Sequence, residues 1–245
     1  METYLAYFDI LGFKSYINNT SSDDVIFRFE CLFRDSQSAI AQQSYINDSY
    51  GGLVPNKDLF KANCLHISDS IIFWTNGSET EDFIALVDIC NNFFQSCCVN
   101  LTFPLRGCIV KGQIEFLPFT VQNKNRNTFI NSSLYGKALI DAYLKAENQD
   151  WAGCYVDRSA YQNIDDEIIN KLITNGSILR YNVPIKNGES SMEYTIKLIG
   201  KNYNNINEDD LITLFTTQLN CQFITEKIQQ KIDNTLKYLR HIKKV

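Results

Sequence analysis

Apolar side chains recur along this chain with two periods, and the switches between them outline the elements. Residues 3–10, TYLAYFDI, are rich in aromatic and branched side chains and end ahead of Gly12, which predicts a strand running into a turn. Residues 22–44 open with Ser22-Asp23-Asp24 as a cap, and Val25, Phe27, Phe29, Leu32 and Phe33 follow at helical spacing. The stretch 46–60, with Gly51-Gly52 and Pro55, reads as a loop. Two short apolar runs, 61–67 and 70–75, meet at Ser68-Asp69 and predict a tight hairpin. Positions 83, 84, 86, 87, 90, 93 and 94 place a helix over 80–100. Pro104 then precedes LRGCIVKGQIEF, a strand with room for a second after Gly112.

Farther on, the asparagine-rich stretch 120–133 reads as a flexible loop, 135–148 as a helix, and GCYVD as a strand. A hairpin is expected from 178–183 and 193–199 around Asn187-Gly188, and an amphipathic helix over 222–243. With no internal repeat and no linker-like segment, this order predicts an α+β fold, a mixed β-sheet flanked by helices, as a single domain overall.

Composition narrows the classes. The 245 residues are 44% hydrophobic and 21% charged, inside the globular range, which excludes a disordered or fibrous chain. A net charge of −5 argues against a nucleic-acid partner while leaving room for a local basic pocket. No apolar run reaches membrane-spanning length, and METYLAYFDILGF, with Glu2 and Asp9, does not read as a signal peptide, so a cytoplasmic protein without a membrane partner is expected. The eight cysteines, Cys221 among them, contain no C-x-x-C pair and lie mostly in apolar segments, as buried reduced thiols do. Only His66 and His241 are present, which excludes a histidine-rich metal site.

Four places carry candidate chemistry. Asp9, at the end of a buried strand before Gly12, suits a divalent cation, with the N–H groups from Ile10 to Phe13 turned toward phosphate oxygens; it equally suits a plain D-x-x-G turn. Asp69, at the hairpin tip, has the same two readings. Should strand 3–10 lie beside the hairpin, both carboxylates would leave one sheet edge, a pairing that suits Mg²⁺ or Mn²⁺ and nucleotide phosphates. Arg106 and Lys111, on one strand with Gly107 and Gly112, suit a phosphate or carboxylate, or simply face outward. Gly136 and Lys137 open a helix that either approaches a ligand or shows an interface stripe of Leu139, Ala142 and Tyr143. His66, Cys97-Cys98 and the basic terminal helix read as packing and solvated surface.

Asp9-Ile10-Leu11-Gly12-Phe13 is similar to the D-I-x-G-F segment of class III nucleotidyl cyclases. Ser68-Asp69 falls where that family has Gly-Asp, and Arg106-x-Cys108-Ile109-x-x-Gly112 resembles its R-x-G-I-x-x-G strand, with Cys in place of the first Gly. Gly136 opens the corresponding helix, and the order matches across roughly residues 3–157. The patterns FDILGF, SDS, RG…G and GKAL…AY…E resemble a divergent branch, the pyrimidine cyclases of bacterial antiphage (Pycsar) signalling.

The resemblance implies a class III cyclase-like, ferredoxin-like core over 1–157; 158–245 carries no further motif and is expected to be a C-terminal helical extension packed on the core, its long terminal helix on the sheet or on a partner subunit. The resemblance also implies two Mg²⁺ or Mn²⁺ ions per site held by Asp9, Asp69 and the Ile10 carbonyl. Arg106 would be catalytic, with Leu11, Gly12, Phe13, Lys111 and Lys137 on the phosphates. The sites would lie at a homodimer interface, and the substrate would be a nucleoside triphosphate. Ile140 and Leu144 stand where the family has its transition-state Asn and Arg, and Leu65 and Ser133 where it selects purines, which tilts the base toward a pyrimidine. The sequence therefore implies a cyclase making a 3′,5′-cyclic monophosphate and pyrophosphate. A catalytically degenerate nucleotide-binding module and another two-metal nucleotidyltransferase remain as alternatives.

Overall fold

The chain, seen in a computed structural model that describes residues 1–122, 124, 128–199, 206–216 and 224–244, is built on one large mixed sheet. In order, the elements begin β1 (Glu2–Ile10), α1 (Phe13–Asn19), α2 (Ser22–Ile40), β2 (Tyr45–Asn47), β3 (Leu53–Pro55), β4 (Asn63–Ile67), β5 (Ser70–Trp74), α3 (Thr80–Val99) and β6 (Leu105–Gln113). They continue with β7 (Glu115–Gln122), β8 (Thr128–Tyr135), α4 (Lys137–Glu147), β9 (Cys154–Val156), α5 (Arg158–Tyr161), α6 (Asp166–Thr174), β10 (Ile178–Pro184), β11 (Ser190–Ile196), α7 (Glu208–Thr216) and α8 (Glu226–Ile242). The seven-stranded sheet has the order β10-β11-β9-β6-β1-β5-β4, and β6–β9 is its parallel pair. Because β10 and β11 hydrogen-bond to it through β9, this sheet crosses the boundary at residue 157.

β1 reads as an almost unbroken apolar run because both of its faces are covered. Tyr4 and Phe8 point to α3, with ring centroids 5.4 Å from Phe83 and 5.3 Å from Phe93 respectively. Tyr7, on the opposite face, meets Tyr143 of α4 edge-on at 5.7 Å. α3 starts from a capping box between Glu79 and Asp82 and buries Phe83, Leu86, Val87, Cys90, Phe93 and Phe94. Each such side chain contributes roughly 1.5–3 kcal/mol by leaving water, so this interface anchors the centre of the sheet. At the other end, α8 docks by Tyr238, whose hydroxyl donates to the Ile196 carbonyl at 2.7 Å and whose ring sits 4.6 Å from Trp151.

Several elements differ from the sequence reading. Residues 120–122 and 128–133 are strand, not loop: β7 and β8 pair from Glu115↔Tyr135 to Gln122↔Thr128 as a separate two-stranded arm. Its asparagines hide an alternation of apolar residues, and Phe119, Phe129 and Ile130 remain exposed on it. Within 46–60, β2 and β3 form a small hairpin whose turn is tied by Asp48 accepting from the Gly52 N–H at 2.7 Å. Helix α2 is capped one residue earlier than expected, by Ser21 accepting from the Asp24 N–H. α1, α6 and α7 are too short for their periodicity to stand out. The expected start of the last helix at 222–223, part of 120–133, and Cys221 lie outside the described residues. Among the described cysteines no disulfide occurs; five are buried, and Cys31 and Cys64 are partly so. No helix among the described residues is long and apolar enough to cross a membrane.

Candidate active site

The antiparallel register sets Asp9 directly between Ser70 of β5 and Arg106 of β6. Asp9 lies on the same strand face as Tyr7, toward α4, since side chains two apart share a face. Two backbone hydrogen bonds close this end of the sheet. The Ile10 N–H donates to the Asp69 carbonyl at 3.0 Å, and the Leu11 N–H to the Pro104 carbonyl at 2.9 Å. The first brings the β4–β5 tip against the end of β1, so Asp9 and Asp69 do leave one sheet edge. Ser68 takes a left-handed conformation at that tip (φ 56°), where the resembling family carries Gly. Gly12 (φ 79°) turns the chain into α1.

These residues open onto a cavity of about 990 Å³, lined by Asp9, the turn from Ile10 to Ser15, Asp69, Ser70, Arg106, Tyr7, Tyr143 and Glu147. The volume lies at the upper end of the range of small-molecule and cofactor sites. Arg106, 7% exposed, is fully engaged. Its Nε donates to Asp9 Oδ2 at 2.8 Å, its Nη1 to the Glu147 carbonyl at 3.0 Å, and its Nη2 pairs with the Glu147 carboxylate. Lys186, in the β10–β11 turn, pairs with the same carboxylate. Burial pushes the Asp9 carboxyl above the usual range, with Arg106 opposing and the Asp69 charge adding to the rise. Glu147 shows the opposite balance. Its burial would raise it, yet Lys186 and Arg106 hold it below the usual carboxylate range.

Arg106 engages Asp9 through Oδ2, and Asp9 Oδ1 has no hydrogen bond among the described residues. Among those residues no group of three or more His, Cys, Asp or Glu side chains converges on one point. The donors at hand are thus two carboxylates and a backbone carbonyl, with water and substrate oxygens to complete a shell. That set fits Mg²⁺ or Mn²⁺, which keep several waters and bind through one or two carboxylates plus phosphates.

The other expected site residues are distributed differently. Because the Leu11 N–H is committed to Pro104, the turn's amides without a backbone acceptor among the described residues are those of Gly12 and Phe13. Lys111 lies toward the far end of β6, where its ammonium donates to the Ser78 carbonyl at 2.9 Å and faces the Tyr4 ring at 5.0 Å. Lys137 begins α4 and Glu147 ends it, so Lys137 is roughly 15 Å of helix from the cavity. Neither lysine lines the cavity, nor do Leu65, partly buried on β4, and Ser133, whose hydroxyl donates to Asn131 on the arm. Ile140 and Leu144 are exposed on α4, at 59% and 56%.

Sequence reasoning missed Glu147, Ser70 and Tyr7 as site residues, together with Lys14, Asp150 and four residues of α8 that also line the cavity: Glu226, Lys227, Gln230 and Lys231. Glu147 carried a local signal, the helix end that follows Gly136. The α8 residues carried none, because their placement depends on long-range docking.

No protein-family model matches the chain, and no curated protein does. Solved structures do. The guanylate cyclase domain of RhGC from Catenaria anguillulae, in complex with GTP, aligns with a TM-score of 0.50 at 14% identity, over 80% of this chain and 96% of that one. A bacterial light-regulated adenylyl cyclase aligns at 0.50 and 12% identity, over 95% of this chain, which spans 57% of that longer protein. With its mixed sheet, its flanking helices and this coverage, the chain has the fold of a class III nucleotidyl cyclase domain.

Proposed function

We propose that the chain is a metal-dependent nucleotidyl cyclase that converts a nucleoside triphosphate, CTP or UTP, to its 3′,5′-cyclic monophosphate and pyrophosphate. The observation that carries this reading is the meeting of Asp9 and Asp69 at one cavity beside the Gly12 turn. When bound, the two divalent cations would supply Lewis acidity to the ribose 3′-hydroxyl and to the departing pyrophosphate. The chain's part is to present hard oxygen donors and to orient them. Arg106 clamps Asp9 Oδ2 and leaves Oδ1 without a hydrogen bond among the described residues, and Glu147 holds Arg106 in that pose, so both would act as positioning residues. The amides of Gly12 and Phe13, which have no backbone acceptor among the described residues, would receive phosphate oxygens.

A homodimer completes this account. In a single chain Leu65, Ser133, Lys111 and Lys137 lie away from the cavity, while Ile140, Tyr143, Leu144 and the β7–β8 arm expose apolar side chains. Pairing of two copies would bury those and bring a second chain's base-reading and charge-stabilising groups to Asp9. A pyrimidine fits Leu65 and Ser133, which cannot make the purine contacts of the resembling family, and the sequence pattern of the antiphage branch agrees with a role in phage defence.

Asp9→Ala and Asp69→Ala test the assignment. Each is expected to abolish cyclic product while circular dichroism and the oligomeric state stay unchanged; full activity in either variant would sink it.

A further inference from the structure

Among the described residues, five cations line the Asp9 cavity: Lys14, Arg106, Lys186, Lys227 and Lys231. Three already have carboxylate partners. Arg106 bridges Asp9 and Glu147, Lys186 pairs with Glu147, and Lys231 pairs with Asp150 at 2.9 Å. Lys14 and Lys227 have no side-chain hydrogen bond or ion pair among the described residues.

Lys227 belongs to α8, and α8 is fastened beside the site. Lys231, one turn farther on, is tied to Asp150; the Asn234 amide donates to the Asp150 carbonyl at 2.8 Å; and the Ala152 N–H donates to Thr235 Oγ1 at 2.9 Å. Asp150 follows Glu147 by three residues, and Glu147 holds the arginine that holds Asp9. The contacts from Asp9 through Arg106 to Glu147, and from Asp150 to Lys231, therefore tie the first turns of α8 to the edge that carries the carboxylates. Residues at i and i+4 share a helix face, so Lys227 stands next to the anchored Lys231; Glu226, which also lines the cavity, lies about 100° around the helix from Lys227.

We infer that Lys227 of α8, together with Lys14, holds the outer phosphates of the substrate, so that the C-terminal helix forms part of its own subunit's triphosphate site. The inference rests on the reading of the cavity as a nucleoside triphosphate site. An exposed lysine costs little to leave unpaired in the free protein and gains a charge-assisted hydrogen bond when a polyphosphate enters.

The test is calorimetric titration of the full-length protein with inorganic tripolyphosphate, CTP and CMP in the presence of Mg²⁺, comparing wild type with Lys227→Glu, Lys227→Arg and Lys243→Glu. Lys243 caps the far end of α8, roughly 24 Å away along the helix, and controls for net charge. Lys227→Glu is expected to weaken tripolyphosphate and CTP binding about tenfold or more and to change CMP binding less than about twofold, with Lys227→Arg and Lys243→Glu near wild type. Unchanged tripolyphosphate binding by Lys227→Glu, or an equal loss with Lys243→Glu, would overturn the inference alone. Failure of the wild type to bind either tripolyphosphate or CTP would overturn the underlying site reading with it.

Discussion

The Asp9–Arg106 pair makes an asymmetric prediction about stability. The two side chains are 16% and 9% exposed, with Nη2 2.7 Å from Oδ2. Removing one partner of such a pair costs about 3–5 kcal/mol when the survivor is a buried, uncompensated charge. Arg106→Met leaves Asp9 in that condition, while Glu147 keeps Lys186. We expect a loss of about 3 kcal/mol, near the lower limit because part of the cavity is open to water. For a chain of this length that lowers the Tm by about 6–12 °C. Asp9→Asn is different in kind. It removes the charge that burial disfavours, and Arg106 keeps both of its contacts to Glu147. Its expected change is within about 1 kcal/mol.

The double variant Asp9→Asn/Arg106→Met should regain much of the loss, giving a coupling of about 2 kcal/mol. Urea unfolding of all four proteins in a chelator measures the cycle without divalent cations. An Asp9→Asn protein as unstable as Arg106→Met, or an additive double variant, would refute the argument that Arg106 compensates a costly buried carboxylate.

Three further outcomes are expected. Gly107→Ala should cost about 1–3 kcal/mol in denaturant unfolding, because a Cβ there would sit 2.6 Å from the Phe8 ring and 2.8 Å from the Tyr7 carbonyl. His66 meets Phe33 edge-on at 4.9 Å, and burial pushes its imidazole down to about 4. The unfolded chain takes the proton near pH 6.5, so the wild-type advantage over His66→Gln should shrink as the pH falls from 6.5 toward 4 and then level off; a constant difference contradicts the burial. Ile140→Asp on the exposed face of α4 should shift sedimentation toward monomer and remove activity together, and an active monomer would contradict the shared site.

How much of this was legible in the sequence depended on range. β1, the β4–β5 hairpin, α3 and α4 follow from local period and turn chemistry, and so do the places of Asp9, one residue before the end of β1, and Asp69, in the β4–β5 turn. The start of β7 follows from the second strand expected after Gly112, but its far end and β8 do not, because the stretch 120–133 is polar in composition and the arm's apolar side chains face outward instead of marking a core. Arg106 was visible as a strand cation, yet its engagement by Asp9 and Glu147 needs cross-strand register and the far end of α4. Lys111 shows the reverse: a spacing that looks like a site motif puts it toward the other end of the same strand. Lys227 and Lys231 carried no site signal, since long-range docking through Tyr238, Thr235, Asn234 and Lys231 itself brings that helix to the cavity.

The central claim is tested most directly by incubating the purified protein with Mn²⁺ and, separately, ATP, GTP, CTP and UTP, and weighing the products by mass spectrometry. The account predicts a 3′,5′-cyclic monophosphate from CTP or UTP, with one pyrophosphate released per turnover. Nucleotide bound but unconverted in all four reactions, or a linear or dinucleotide product, would contradict it.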